Sequence, residues 1–361
     1  MSKQTKVTKE NVLAALSKVL DPELKKDLVS LNMIKDLQIR NDKVQFQIQL
    51  TTPAGPLRDQ IEAEAREAVE SLAGVSEVEI EFSADVPADS RIGEKGIKSM
   101  RNTIAIASGK GGVGKSTVAV NIAVALAKTG AKVGLLDADI YGPNIPTMMG
   151  VENMPEPQGG KMIPAESYGV KVMSIGFLVQ PNQPIIWRGP MLHSAIQQFI
   201  NDVAWGDLDY LIVDLPPGTG DAQLSLAQSV PLSGGVIVTL PQNVSLEDAR
   251  RGLEMFRTMD IPVLGIVENM SYLEMPDGNR VDVFGHGGGK KLAGDTGVDL
   301  IGEVPMDAIV RVSGDSGKPV VLENPESDAA KAFVAVAEKV AAKISVLAME
   351  GKKHIPLEIV E

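Results

Sequence analysis

The chain has 361 residues, 44% of them hydrophobic, and 47 acidic side chains against 35 basic ones give a formal net charge of -12. The length exceeds one domain of roughly 100 to 200 residues, and the acidic balance argues against nonspecific nucleic-acid binding and a polybasic membrane anchor, both of which need clustered Lys and Arg. Cysteine is absent, which excludes disulfides and thiolate-ligated metal from this polypeptide alone, and His193, His286 and His354 stand far apart without metal-ligand spacing.

In chain order, the opening run MSKQTKVTKENV lacks the apolar core of a signal peptide, and no later run approaches the roughly 18 apolar residues needed to span a bilayer. A cytoplasmic protein without membrane or nucleic-acid partners is expected. Residues 1–85 read as a small α+β domain. Val12, Leu13, Leu16, Val19 and Leu20 recur at helical spacing, and Asp21-Pro22 stops or redirects that helix. Val44, Phe46, Ile48 and Leu50 alternate with glutamines, the period of a half-buried strand. A second helix over 57–72 and a strand over 75–82 follow, with antiparallel pairing expected. The segments DPELKKDLVSLNMI and TTPAGPLRDQI resemble the MIP18-like domain of iron-sulfur assembly factors. Many of its members carry Cys where this chain has Gly55, so a thiol role of that domain is absent. Asp21, Thr51, Thr52 and Pro53 read equally as a polar pocket or as capping and turn residues. Residues 86–100, rich in Pro, Gly, Ser and mixed charge, read as a linker.

From 101 to 350 strands and helices alternate, the pattern of a mostly parallel, doubly wound sheet. Its first strand, Ile104 to Ala107, runs into Gly109-Lys110-Gly111-Gly112-Val113-Gly114-Lys115-Ser116-Thr117 and then an apolar helix over 118–126. Strand, glycine loop, Lys-Ser pair and helix in that order are the setting of a phosphate-binding loop. The glycines let backbone N–H groups face an anion, Lys115 supplies charge to the β/γ-phosphates, and the Ser116 hydroxyl is a ligand for Mg²⁺. Lys110 is a second lysine that an ordinary loop of this kind does not need. The KGGxGKS/T form resembles the deviant Walker A of the nitrogenase iron protein and the Min and Par ATPases. That resemblance implies a homodimer in which Lys110 reaches the other subunit's nucleotide.

The strand Val133 to Asp137 delivers Asp137-Ala138-Asp139 at its C-terminal end, where open α/β sheets place ligand chemistry. By the same resemblance Asp139 orients the attacking water and Asp137 sits near the magnesium shell; a helix-capping pair is the alternative. The apolar strand over 210–213 ends in Asp214, the Walker B arrangement whose carboxylate holds Mg²⁺, and Pro216-Pro217-Gly218-Thr219-Gly220 suits a γ-phosphate-sensing switch. Strands over 236–240 and 263–267 follow. Asn269, just past the second, matches the position whose amide reads the adenine edge, or else is a plain loop residue.

IASGKGGVGKST, LLDADIYGPNIPTMMG, DYLIVDLPPGTGD, GIVENMSYLEMPDG and GEVPMDAIVRVSGDSGKPVV together resemble the Mrp/ApbC family of iron-sulfur cluster carrier ATPases, over about residues 100–325. The resemblance implies ATP and Mg²⁺ as cofactors, hydrolysis that opens and closes a dimer, and iron-sulfur apoproteins or scaffolds as partners. Many members carry a CPxC pair after NMSY, whereas this chain has Met275 and Gly278 there, so a four-thiolate cluster cannot be built from it. The run at Pro276-Asp277-Gly278 reads as a solvated hairpin turn. Arg188 reads as an intersubunit contact or a structural salt bridge, and Lys290-Lys291 are not assigned to phosphate. A helix over 329–349 and a tail, 351–361, close the chain. A partition-type positioning ATPase and a partner-docking adaptor are the alternative functions.

Overall fold

Thr8 starts the first helix by accepting the Asn11 amide on its hydroxyl, and α1 runs over Lys9–Leu16. The structure, a computed structural model, describes residues 7–22, 24–53, 57–94, 99–140, 142–178, 189–275 and 277–351. It divides into two units, Met1–Pro87 with Ala341–Glu350, and Ala88–Val340 with Gly351–Glu361. Gly55, Arg188 and the tail beyond 351 lie outside the described residues.

In the first unit α1 buries Val12, Ala15 and Leu16 and stops at Ser17, short of the expected Leu20. Leu20–Asp21 (β1) instead pairs antiparallel with Lys26–Asp27 (β2), which leaves the Leu20 side chain exposed. The strand Ile34–Arg40 (β3) was not anticipated. Its alternation is broken by a register shift between Lys35 and Gln38 and by the left-handed Asp36, so no period of two can be read there. It pairs antiparallel with Lys43–Leu50 (β4), whose Val44, Phe46 and Ile48 form the core with Ile61, Ala65 and Val69 of Leu57–Glu70 (α2). Glu77–Ala84 (β5) then lies parallel on β4, which corrects the expected antiparallel pairing on that side. The helix between the two strands is the cause, since a crossover returns the chain in its original direction.

In the second unit Ser90–Glu94 (α3) forms within the stretch read as linker, and Ile92 is buried there. Met100–Ala107 (β6) is followed by Lys115–Lys128 (α4), Val133–Asp137 (β7), Ile145–Met148 (α5), Ala165–Ser167 (β8), Val170–Ser174 (β9) and Gly189–Asn201 (α6). Leu208–Asp214 (β10), Asp221–Ser229 (α7), Gly234–Thr239 (β11), Asn243–Thr258 (α8) and Val263–Glu268 (β12) come next. The chain ends with the hairpin Leu273–Glu274 (β13) and Arg280–Val281 (β14), then Gly288–Thr296 (α9), Leu300–Glu303 (β15), Ala308–Asp315 (α10), Val320–Glu323 (α11) and Asp328–Gly351 (α12). The eight-stranded sheet has the order β15-β12-β11-β6-β10-β7-β9-β8, and every pairing along it is parallel except β8 on β9.

The central strands are nearly continuous apolar runs because helices cover both faces. Residues 118–126 of α4 are buried on all sides, so this helix is held by the sheet rather than by an amphipathic surface stripe. The chain leaves β6 for β7 on one side, while β11, β12 and β15 build the other. Strand order therefore reverses at β6, and the crevice beyond its carboxyl end is where a ligand fits such a sheet.

Candidate nucleotide site

The loop between β6 and α4 occupies that crevice. Gly112 and Gly114 hold φ of 79° and 83°, left-handed values that a side chain resists, and Gly114 caps α4. Close approach fixes two other positions. A Cβ on Gly109 would lie 2.1 Å from the backbone of Asp248 in α8, and one on Gly114 would meet the Asn269 amide at 2.2 Å. The Ser108 hydroxyl donates to the Lys110 carbonyl at 2.9 Å, and the Gly218 amide donates to the Ser108 carbonyl at 2.9 Å. The glycine segment after Asp214 thus rests on the phosphate-loop entrance.

Lys115, Ser116, Asp139 and Asp214 converge at the ends of β6, β7 and β10. The Lys115 ammonium lies 2.7 Å from Asp214 and 3.6 Å from Asp139, and the Ser116 hydroxyl donates to the other Asp214 oxygen at 2.6 Å. Sheet register makes this possible, because Asp214 stands directly beside Asp137 on adjacent parallel strands. Asp137 accepts the amides of Asp139 and Ile145, each at 3.2 Å, and the Ser174 hydroxyl at 2.9 Å. It therefore caps the first residue of α5 as well as facing the site. Asp139 accepts the Gly142 amide at 3.3 Å.

Burial is the main cause that pushes Asp137 up to about 8, and the Asp214 charge adds to it against the hydrogen bonds from Ser174 and Asp139 and the Lys115 charge. Burial likewise raises Asp214, opposed by Lys115 and Ser116. Two carboxylates, Asp139 and Asp214, face one ammonium with Asp137 beside Asp214, which leaves the pocket short of positive charge. Hard oxygen donors from Ser116, Asp137 and Asp214 on that ground fit a divalent cation such as Mg²⁺.

Beyond the loop opens a cleft of about 720 Å³ between Thr117, Asn144 and Met148 on one side and Asn269, Met306 and Arg311 on the other. Asn269 lines the cleft, and its amide nitrogen donates to the Val113 carbonyl at 2.9 Å. The cleft wall from Pro305 to Arg311 had no signal of its own in the sequence. It is carried there by backbone pairing, with Val304 and Ser271 amides donating to Glu268 and Val304 carbonyls and the Met306 amide to Tyr272. Asp307 then starts α10 by accepting the Ile309 amide at 2.9 Å. Only the resemblance of GEVPMD to a family segment marked that wall.

The Lys110 side chain is half-buried at the loop. Lys290 pairs with Glu303 at 3.4 Å, away from the loop. Met275, in the β13–β14 hairpin, is 41% exposed. No helix among the described residues is long and apolar enough to cross a membrane.

A family model described as NUBPL iron-transfer P-loop NTPase matches residues 99–341, and one described as iron-sulfur cluster assembly protein matches residues 9–82. The chain is 54% identical to the iron-sulfur cluster carrier protein of Synechocystis, over 95% of this chain and 99% of that one. It is 52% identical to the protein of the same description from Deinococcus radiodurans, over 93% and 95%. Among solved structures it is similar to a nucleotide-binding protein from Archaeoglobus fulgidus in complex with ADP, with TM-score 0.58 and 39% identity over 68% of this chain and 97% of that one. The cell-division ATPase MinD of Pyrococcus furiosus, at 24% identity and TM-score 0.51 over 66% and 98%, shares the fold.

Proposed function

The chain belongs to the family of NUBPL-type iron-transfer P-loop NTPases, and from that membership we propose that it is an iron-sulfur cluster carrier driven by ATP hydrolysis in a homodimer. The observation that supports hydrolysis is the convergence of Lys115, Ser116, Asp139 and Asp214 on one point at the end of the glycine loop. Loop amides from Gly109 to Thr117 and the start of α4 bind the phosphates, and Lys115 turns its ammonium from the carboxylates to the β/γ-oxygens. Ser116 and Asp214 would hold Mg²⁺ with Asp137 beside them, and the ion would supply positive charge to the phosphate oxygens.

Asp139, 3.6 Å from the Lys115 ammonium, accepts a hydrogen bond from the attacking water and so aligns it. Catalysis is then positioning and electrostatics, with little covalent work for the protein. Asn269 offers its amide oxygen to the exocyclic amine of adenine, and Thr117 flanks the nucleoside cleft. Lys110 serves the nucleotide of the partner subunit, on the strength of the deviant loop form. The relatives' descriptions supply the cargo, an iron-sulfur cluster, which this chain passes on to apoproteins in the cytoplasm. With no cysteine in the chain, the thiolates that hold that cluster come from a scaffold or client.

Lys115→Ala tests the hydrolytic reading. The variant is expected to lose ATP binding or to lower kcat by at least about 10²-fold, as removal of one preorganised charge at a reacting phosphate does. Wild-type hydrolysis by a folded Lys115→Ala protein sinks the proposal.

A further inference from the structure

Two glycines far apart in sequence touch through their backbones. Gly150 follows α5, and Gly317 follows α10; their φ values are 64° and 72°. A Cβ on Gly317 would lie 2.6 Å from the Gly150 Cα and 3.1 Å from the Thr147 carbonyl oxygen, and one on Gly150 would lie 3.0 Å from the Gly317 carbonyl oxygen. No side chain fits at Gly317 without a backbone shift, and at Gly150 the contact is tight and the left-handed φ resists one.

The contact is gripped from outside and anchored from inside. Tyr168, at the turn between β8 and β9, donates its hydroxyl to the Gly317 carbonyl at 2.9 Å, and the neighbouring Ser167 hydroxyl donates to the Met149 carbonyl at 2.7 Å. On the other side the Val321 amide donates to Asn121 at 3.3 Å and the Val321 carbonyl accepts Lys128 at 3.0 Å, both on α4. The segment from Gly314 to Val321 therefore ties the phosphate-loop helix to α10, which lines the nucleoside cleft. Through Gly150 it also ties both to α5. The N-terminal end of α5 is the Ile145 amide held by Asp137, two residues before Asp139.

We infer, on the hydrolytic reading proposed above, that the Gly150–Gly317 contact is a positioning joint, which sets the α5 segment and hence Asp139 against the bound nucleotide. Neither glycine touches the reacting atoms. Their part is to let two backbones approach so closely that α5 has one seat, and a loosely seated α5 leaves the Asp139 loop free to wander. Misplacement of a catalytic group by about 1 Å can lower a rate by about 10²-fold. Because α5 also lines the nucleoside cleft through Met148, loosening the joint costs some affinity, but the larger loss falls on kcat.

Gly317→Ala is expected to lower kcat for ATP by at least about tenfold while the ADP dissociation constant stays within about threefold. Gly297→Ala is the control for backbone strain. Gly297 also has a left-handed φ, 68°, but nothing within 4 Å of the added carbon, so kcat is expected to hold. A kcat within about twofold of wild type for Gly317→Ala, or equal losses of turnover and affinity, overturns the joint. Should Gly317→Ala fail to fold, Tyr168→Phe removes one grip and keeps both glycines. A drop of about threefold in kcat at unchanged ADP affinity supports the joint, and no change overturns it. Hydrogen exchange separates this from the hydrolytic reading itself. The Met149 and Gly150 amides, bonded to Ile145 and Thr147, are expected to exchange at least about tenfold faster in Gly317→Ala. Unchanged exchange overturns the joint whether or not the chain hydrolyses ATP.

Discussion

Asp137 and Asp214 stand side by side on β7 and β10, both fully buried, and two carboxylates so placed resist ionising together. The consequence has a sign. Burial and the Asp214 charge push Asp137 up to about 8 in the folded protein, above the roughly 3.9 of an unfolded aspartate, so the native state keeps its proton longer. The contribution of this group to stability falls as pH rises through that window and is flat above it. A divalent cation favours the ionised carboxylate, so binding below pH 8 must expel the proton. Titration calorimetry of Mg-ADP at pH 7, in two buffers of different ionisation enthalpy, should report release of about one proton per site and tighter binding as pH is raised toward 8. Binding without proton release would mean that Asp137 is already ionised or takes no part. This pair was legible as two aspartates at strand ends, but their coupling was not, since it depends on the register of β7 against β10.

At the scale of elements, Glu268 holds together pieces that the chain order keeps apart. Its side chain is fully buried at the end of β12, where it accepts the Ser271 hydroxyl and the Gly289 amide in the first turn of α9. Its carbonyl accepts the Val304 amide at 2.8 Å, the first of the bonds that bring the Pro305–Arg311 wall to the cleft. Glu268→Ala would leave a buried hydroxyl and a helix-terminal amide without their acceptor. A loss of about 3 kcal/mol in urea denaturation is expected, and Glu268→Gln, which keeps one acceptor, should lose less. Equal losses for the two variants would show that a single amide oxygen does not stand in for the carboxylate. The sequence was readable where an apolar run ends in Asp or Asn, as at Asp137, Asp214 and Asn269. It was unreadable where a bulge breaks the alternation, as in β3, and where strand direction depends on a crossover, as with β5 on β4. The wall from Pro305 to Arg311 and the Gly150–Gly317 contact were likewise hidden, because tertiary pairing and not local pattern puts them in place.

For the molecule as a whole, composition constrains the cargo more than the fold does. Every residue of the nucleotide site lies in the second unit, and the chain that carries it has no thiol anywhere. The hairpin where the family resemblance places two cysteines has an exposed Met275 instead, and its polar groups serve each other. Asp277 accepts both the backbone and side-chain amides of Asn279, Arg280 lies 3.8 Å from Glu274, and His286 lies 3.6 Å from Asp282. No group of three or more His, Asp or Glu that could hold a metal is present among the described residues. Iron-sulfur clusters are soft-ligand complexes, and a thioether or a hard carboxylate is a poor exchange for thiolate. Two copies of this chain pool no more thiolates than one does, so dimerisation cannot repair the deficit. Anaerobic reconstitution of the isolated protein with ferrous iron and sulfide, then desalting and analysis, should therefore leave far less than one cluster per two chains. Repeating it with a cysteine-bearing apoprotein present should leave the cluster on that partner. A stoichiometric cluster retained by the purified chain alone would show that oxygen and nitrogen ligands suffice here, and the partner-held cargo would have to be given up while the nucleotide chemistry stood.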